Sequence, residues 1–130
     1  MPQRPDVPRK TVVLIVDDLA STRELIGFVL QSEGFEVCYA DSGRTALLVA
    51  EEKKPDVILL DVLMPGQDGY AVCAQIRQSP ALQKKKVIVF SALNTHADRL
   101  RATQAGADEF LEKPVESEKL LAVLRRLLAA

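Results

Sequence analysis

Three stretches of this chain are apolar without alternation: residues 11–16 (Thr-Val-Val-Leu-Ile-Val), 57–60 (Val-Ile-Leu-Leu) and 87–90 (Val-Ile-Val-Phe). They are too short for helices and rich in β-branched residues, so they read as strands buried on both faces. Such strands need a layer of other structure on each side. A fourth run, 35–40, alternates more, with Glu36 outward between apolar neighbours, as expected nearer a sheet edge. A fifth, 108–111, leads into Lys113-Pro114.

Segments with helical spacing separate these runs. The first repeats Leu25, Phe28 and Val29 and is closed by Gly34; its start stays open between Asp18 and Ser21, the latter with Glu24 three residues on. The second begins at Asp41-Ser42-Gly43 and ends near Lys54, with Ala46, Leu47 and Ala50 inward. Tyr70, Cys73, Ala74 and Ile76 mark a third, which stops before Pro80. The fourth, 95–105, is polar apart from Ala97, Leu100 and Ala105, and Gly106 terminates it. A helix so weakly anchored is a candidate for motion. Leu120, Leu121, Leu124, Leu127 and Leu128 make the last strongly amphipathic. Five strands alternating with five helices imply parallel pairing through right-handed crossovers and an α/β three-layer sandwich.

At 130 residues and 48% hydrophobic content the chain has the size and apolar material of one domain, assigned to residues 11–130, with 1–10 (Pro2, Pro5, Pro8) as a flexible tail. The formal charge of −1 gives no general pull towards nucleic acid or an anionic membrane, so neither is expected as a direct partner. No run is long enough to span a bilayer, and the N-terminus lacks the apolar core of a signal peptide. Cys38 and Cys73 lie far apart without metal-ligand spacing and read as buried small hydrophobes, so a reducing, cytoplasmic setting is expected. Lys84-Lys85-Lys86 reads as solvated charge and His96 as a surface residue.

Parallel pairing gathers the strand ends at one edge: Asp17-Asp18, Asp61, Ser91 and Lys113. Three carboxylates so close repel one another unless a cation sits among them, and hard oxygen ligands with room for waters suit Mg²⁺. Such a cation neutralises an arriving phosphoryl group, with Lys113 and the Ser91 hydroxyl for its other oxygens. Asp61 then has the company a nucleophile needs to form an acyl phosphate by in-line displacement.

Taken together, Asp17-Asp18, Leu60-Asp61-x-x-Met64-Pro65-Gly66-x-x-Gly69, Phe90-Ser91-Ala92 and Gly106-Ala-Asp-x-Phe110-x-x-Lys113-Pro114 span most of the chain. In these motifs it resembles the receiver domain of a two-component response regulator. The resemblance implies a flavodoxin-like (βα)5 fold with sheet order 2-1-3-4-5. It implies Asp61 as phosphoacceptor, with Asp18, Asp61 and the Leu63 backbone carbonyl as direct Mg²⁺ ligands and Asp17 a ligand through water; Mn²⁺ is an expected substitute. Ser91 and Lys113 become the phosphate-sensing pair. Phe110 becomes the switch aromatic that turns inward when Ser91 is drawn to the phosphate, and the Lys113–Pro114 peptide bond is expected to be cis.

The implied donor is a phosphohistidine on a sensor histidine kinase or a histidine phosphotransfer protein, the receiver catalysing its own phosphotransfer and dephosphorylation rather than serving as a metabolic enzyme. The implied output is the surface of the fourth helix, fifth strand and fifth helix, turned towards an effector protein or domain. A symmetric dimer through that face would set Arg99, Arg101, Arg125 and Arg126 against Asp98, Asp108 or Glu109 of a twin.

Three rivals fit less well. A dehalogenase-like phosphohydrolase carries a second Asp two residues beyond its nucleophile, where this chain has Leu63. A nucleotide or flavin binder needs a glycine-rich loop after Val16. An interaction module that no longer takes phosphate has no need of the acidic pair, Asp61, Ser91 and Lys113 together. Leu63 and Leu93, neither able to orient a water, predict a long-lived phosphoryl state.

Overall fold

The computed structural model describes residues 10–129. Its five sheet strands are β1 (Val12–Val16), β2 (Glu36–Ala40), β3 (Val57–Asp61), β4 (Lys86–Ser91) and β5 (Glu109–Glu112). All pair in parallel, in the spatial order β2-β1-β3-β4-β5. That is the order expected. The helices are α1 (Ala20–Ser32), α2 (Gly43–Lys53), α3 (Gly69–Gln78), α4 (His96–Ala105) and α5 (Ser117–Ala129). Of the tail assigned to residues 1–10, all but Lys10 lies outside the described residues.

The absence of alternation in the central strands has a direct cause. Leu14, Val16, Ile58 and Leu60 point to one face, where Ala46 and Ala50 of α2 and Cys73 and Ile76 of α3 cover them. Val13, Ile15, Leu59, Ile88 and Phe90 point to the other, against Ile26 and Leu30 of α1 and Leu120, Leu121 and Leu124 of α5. Each strand is therefore core on both sides. Cys38 and Cys73 are free thiols; Cys73 is buried within the first of these clusters, whereas Cys38, expected to be buried too, is only half-buried and packs against it from the edge strand β2. Burial pushes the Cys73 thiol up to about 11, which keeps it unreactive at neutral pH.

The helix starts follow local capping chemistry. The Ser42 side chain accepts from the Thr45 N–H, Asp68 from Tyr70, and Thr95 and Asp98 form a reciprocal capping box. Gly34 and Gly106 take the left-handed conformation past their helices, with φ of 91° and 101°. Four details differ. α1 starts after Leu19 without a side-chain cap, so neither Asp18 nor Ser21 fills that role. Its inner face is Ile26 and Leu30, while Leu25 and Phe28 are 68% and 70% exposed. In α4 the one buried residue is Ala102, with Ala97 and Leu100 outside; in α3, Val72 is buried and Ala74 only half so. Leu63–Met64 and Gln67–Asp68 also pair as a short antiparallel ribbon between β3 and α3.

Candidate functional site

One turn recurs at three neighbouring strand ends. Asp17 Oδ1 accepts the Leu19 N–H at 2.9 Å, Asp61 Oδ1 the Leu63 N–H at 2.9 Å, and Ser91 Oγ the Leu93 N–H at 3.0 Å. Each is a side chain bonded to backbone two residues on, the arrangement that lets Asp and Ser end a strand and start a turn. All three residues are buried, at 0%, 1% and 0% exposure. The second oxygen of each carboxylate faces Lys113, whose Nζ lies 2.8 Å from Asp17 Oδ2 and 3.0 Å from Asp61 Oδ2.

Lys113 is placed by β5: its N–H donates to the Ser91 carbonyl at 2.9 Å, its ammonium lies 4.8 Å from the Phe90 ring centroid, and its bond to Pro114 is cis. Arg23 Nη1 donates to the Asp17 carbonyl at 2.7 Å and braces the first turn from α1. Gly69 lets α3 begin close against the third strand's end, since a Cβ there would fall 2.3 Å from Val62 Cα and 2.9 Å from the Asp61 carbonyl. The motif glycine is thus a packing requirement of the site.

Burial raises the Asp61 pKa above the usual carboxylate value; the Leu63 N–H and Lys113 act in the opposite sense, and Asp17 adds to the rise. For Lys113 burial alone would lower the pKa, but its bonds to Asp17 and Asp61 prevail and hold it above the usual lysine value. The ammonium is therefore firmly protonated.

Asp17, Asp18 and Asp61 each bring a carboxylate oxygen within 4.8 Å of the others. An all-oxygen set of this kind, with half-buried Asp18 towards solvent and the Leu63 carbonyl carried on the Asp61 turn, fits a hard divalent cation that keeps some of its waters.

Phe110 is already turned in. It is 9% exposed and packs with Val62, Val89 and Ala102, while Arg99 lies over its ring at 4.7 Å and bonds Glu112 at 3.1 Å. The inward ring thus coexists with a Ser91 hydroxyl bonded to Leu93. The arginines expected to meet a twin have partners within the chain: Arg99 with Glu112, Arg101 with Asp68, Arg125 with Glu33 and Arg126 with Glu109. His96 is exposed, and Lys84–Lys86 lie at the end of β4 remote from the acids.

Two features had gone unseen. Beside the acids, an apolar groove lined by Leu19, Leu25, Val29, Lys113, Pro114 and Leu120 runs between α1 and α5. Its signal was that α1 carries apolar residues on more faces than one core contact needs. Gln67 Oε1 also accepts from the Gly43 N–H and ties the β3–α3 ribbon to the start of α2. A lone Gln in a loop gives no sequence signal for such a contact.

The sequence model of the response regulator receiver domain matches residues 13–125. Response regulator PleD of Caulobacter vibrioides is 39% identical over 88% of this chain and 25% of its own length. Response regulator MprA of Mycolicibacterium vanbaalenii is 38% identical over 89% of this chain and 49% of its own. The chain thus spans between a quarter and half of these curated relatives. Among solved structures, chemotaxis protein CheY4 of Vibrio cholerae superposes with a TM-score of 0.86 at 31% identity, covering 91% of this chain and 98% of that one. The signal receiver domain of a signal transduction histidine kinase from Syntrophus aciditrophicus gives 0.83 at 34%, covering 92% and 90%.

Proposed function

The chain belongs to the response regulator receiver family, whose function is to accept a phosphoryl group, and from that premise we propose that Asp61 is the acceptor, with Ser91 and Lys113 receiving the phosphoryl oxygens. The observation that carries this reading is the buried pair Asp17 and Asp61 bridged by one ammonium at the carboxyl edge of the sheet. In the transfer, an Asp61 oxygen attacks the phosphorus of a phosphohistidine, the P–N bond breaks, and its electron pair stays on the imidazole nitrogen. The product is an acyl phosphate. Lys113 pairs with one phosphoryl oxygen, and the Ser91 O–H, whose oxygen already accepts from Leu93, donates to another. Asp18, Asp61 and the Leu63 carbonyl would hold Mg²⁺, or Mn²⁺ in its place, directly, with Asp17 acting through water; the bound ion supplies positive charge to the phosphoryl oxygens.

The donor in this reading is a sensor histidine kinase or a histidine phosphotransfer protein, and the apolar groove beside Lys113 offers its surface a place to rest. The output is the α4-β5-α5 face, directed at an effector protein or domain, or at a second copy. Catalysis is confined to the receiver's own phosphorylation and dephosphorylation, within residues 11–130. Among the described residues no helix is long and apolar enough to cross a membrane, and a cytoplasmic site of action fits the two free thiols.

The test is native mass spectrometry with Mg²⁺, before and after acetyl phosphate. A single phosphoryl adduct in the parent protein, missing from folded Asp61→Asn, is expected. No adduct in folded, Mg²⁺-binding protein would reject the assignment.

A further inference from the structure

α2 starts with a donor that its own cap does not serve. Ser42 Oγ accepts the Thr45 N–H at 3.1 Å and lies 2.8 Å from Thr45 Oγ1, which leaves the N–H of buried Gly43 to find an acceptor elsewhere. Gln67 Oε1, from the far strand of the β3–α3 ribbon, supplies it. Room for that contact exists because residue 43 has no side chain: a Cβ there would fall 2.6 Å from Gln67 Oε1 and press on Val72. Gly43 and Gln67 are therefore a matched pair.

The other side of this contact leads to the acids. Gln67 pairs with Met64 and Asp68 with Leu63 across the Pro65–Gly66 turn, where Gly66 takes a φ of 72°. Met64 is 4% exposed in the core, and the Leu63 N–H is bonded to Asp61 Oδ1 at 2.9 Å. The ribbon that begins on the Asp61 turn is thus fastened to α2, and it cannot lift without leaving a buried donor unpaired. We propose that Gln67 is a positioning residue of the phosphoacceptor site: its bond to Gly43 holds the ribbon, and with it the Leu63 carbonyl, in place before a divalent cation arrives. This rests on reading Asp18, Asp61 and the Leu63 carbonyl as the direct ligands of Mg²⁺. A backbone ligand has no rotamer to adjust, so its place is set by whatever holds the backbone. A ligand already in place also costs the cation less ordering on binding. Groups that orient metal ligands directly are worth about 10–100-fold in affinity; Gln67 acts through the ribbon, and its loss should cost about threefold to tenfold.

The test combines amide exchange without metal and isothermal titration of Mg²⁺, on variants checked for folding by circular dichroism. Gln67→Met keeps the length and bulk of the side chain but loses the acceptor. It is expected to quicken exchange at both Gly43 and Leu63 and to bind Mg²⁺ about threefold to tenfold more weakly than the parent. Gly43→Ala displaces the carboxamide from the other side and should weaken binding alike, and the double variant should be no weaker than either single one. Gln67→Glu, which keeps an acceptor for the Gly43 N–H, is expected to bind no more weakly than the parent. A Gln67→Met affinity equal to the parent's, with exchange quickened at Gly43 alone, would make Gln67 a helix cap only and overturn the inference while the metal site stands. Additive losses in the double variant would equally overturn it, since the two residues would then act separately. No Mg²⁺ binding by the parent would remove the metal-dependent reading and the inference with it.

Discussion

Asp61 is held where its charge is costly. Burial is the largest influence on its carboxyl and raises the pKa, so between the unfolded and folded values the folded chain holds the proton more tightly. Stability contributed in that window is lost as pH rises through it, which leaves the ionised acid a destabilising group at pH 7. Asp61→Asn should therefore raise the thermal midpoint by a few degrees at pH 7 in EDTA. The gain should shrink below about pH 4, where Asp is protonated in both states. Calorimetry across that range checks it, and an Asn variant no more stable than the parent at neutral pH would contradict the argument. Two residues away, Leu63 is 46% exposed and Leu93 51%, both at the rim of the site with no polar atom to orient an attacking water. Leu63→Asn supplies one, and loss of the phosphoryl group, followed by mass spectrometry after removal of acetyl phosphate, should quicken by about tenfold. An unchanged or slower rate would show that water is positioned elsewhere.

α4 is fastened at one end. Arg77 donates to the carbonyls of Gly106 at 2.7 Å, Gln83 at 2.9 Å and Lys85 at 2.6 Å and pairs with Asp108 at 2.7 Å, so its guanidinium joins α3, the α3–β4 loop and the turn after α4. Asp108 in turn accepts the Val87 N–H at 2.8 Å, tying the same knot to β4. Beyond this clamp α4 buries Ala102 alone, and its start is held by the exposed Thr95–Asp98 box and by Arg101 against Tyr70. Amide exchange should therefore open α4 well before α5, whose Leu120, Leu121 and Leu124 are buried. Arg77→Leu should lower stability by about 2–4 kcal/mol in urea, from several charge-assisted bonds lost at once. The weak anchoring of α4 was legible, because a helix with few apolar residues has little to bury. Its clamp was not, because Arg77 acts on backbone carbonyls that no spacing rule points to. α1 misled for the opposite reason: Leu25 and Phe28 satisfy helical spacing as well as Ile26 and Leu30 do, and only the sheet decides which face is inside.

For the whole molecule, legibility followed burial. β1, β3 and β4 are covered on both sides, so their apolar runs declared a parallel sheet, and parallel pairing alone brought Asp17, Asp61, Ser91 and Lys113 to one edge. Surface relationships obey no such rule, and the arginines of the α4-β5-α5 face show it. Read as sequence, Arg99, Arg101, Arg125 and Arg126 were candidates for a twin's acids; in the fold each has an acid of its own chain. Exposed ion pairs are worth about 0–1 kcal/mol, so exchanging them for pairs across a twofold axis changes little free energy. Charge alone cannot drive association, which leaves apolar contact as the remaining source. On α4 the exposed large apolar side chain is Leu100, and Phe110 of β5 is turned in under Arg99. So small an apolar surface falls far short of a stable interface, which buries about 800 Å² on each partner. The unphosphorylated protein is accordingly expected to sediment as a monomer at micromolar concentrations. Acetyl phosphate with Mg²⁺ should produce a dimer only if it frees Arg99 from Glu112 and alters the seat of Phe110. A dimer before phosphorylation that survives Leu100→Ser would place self-association on another face, and the exposed Leu25 and Phe28 of α1 would be the surface to test next.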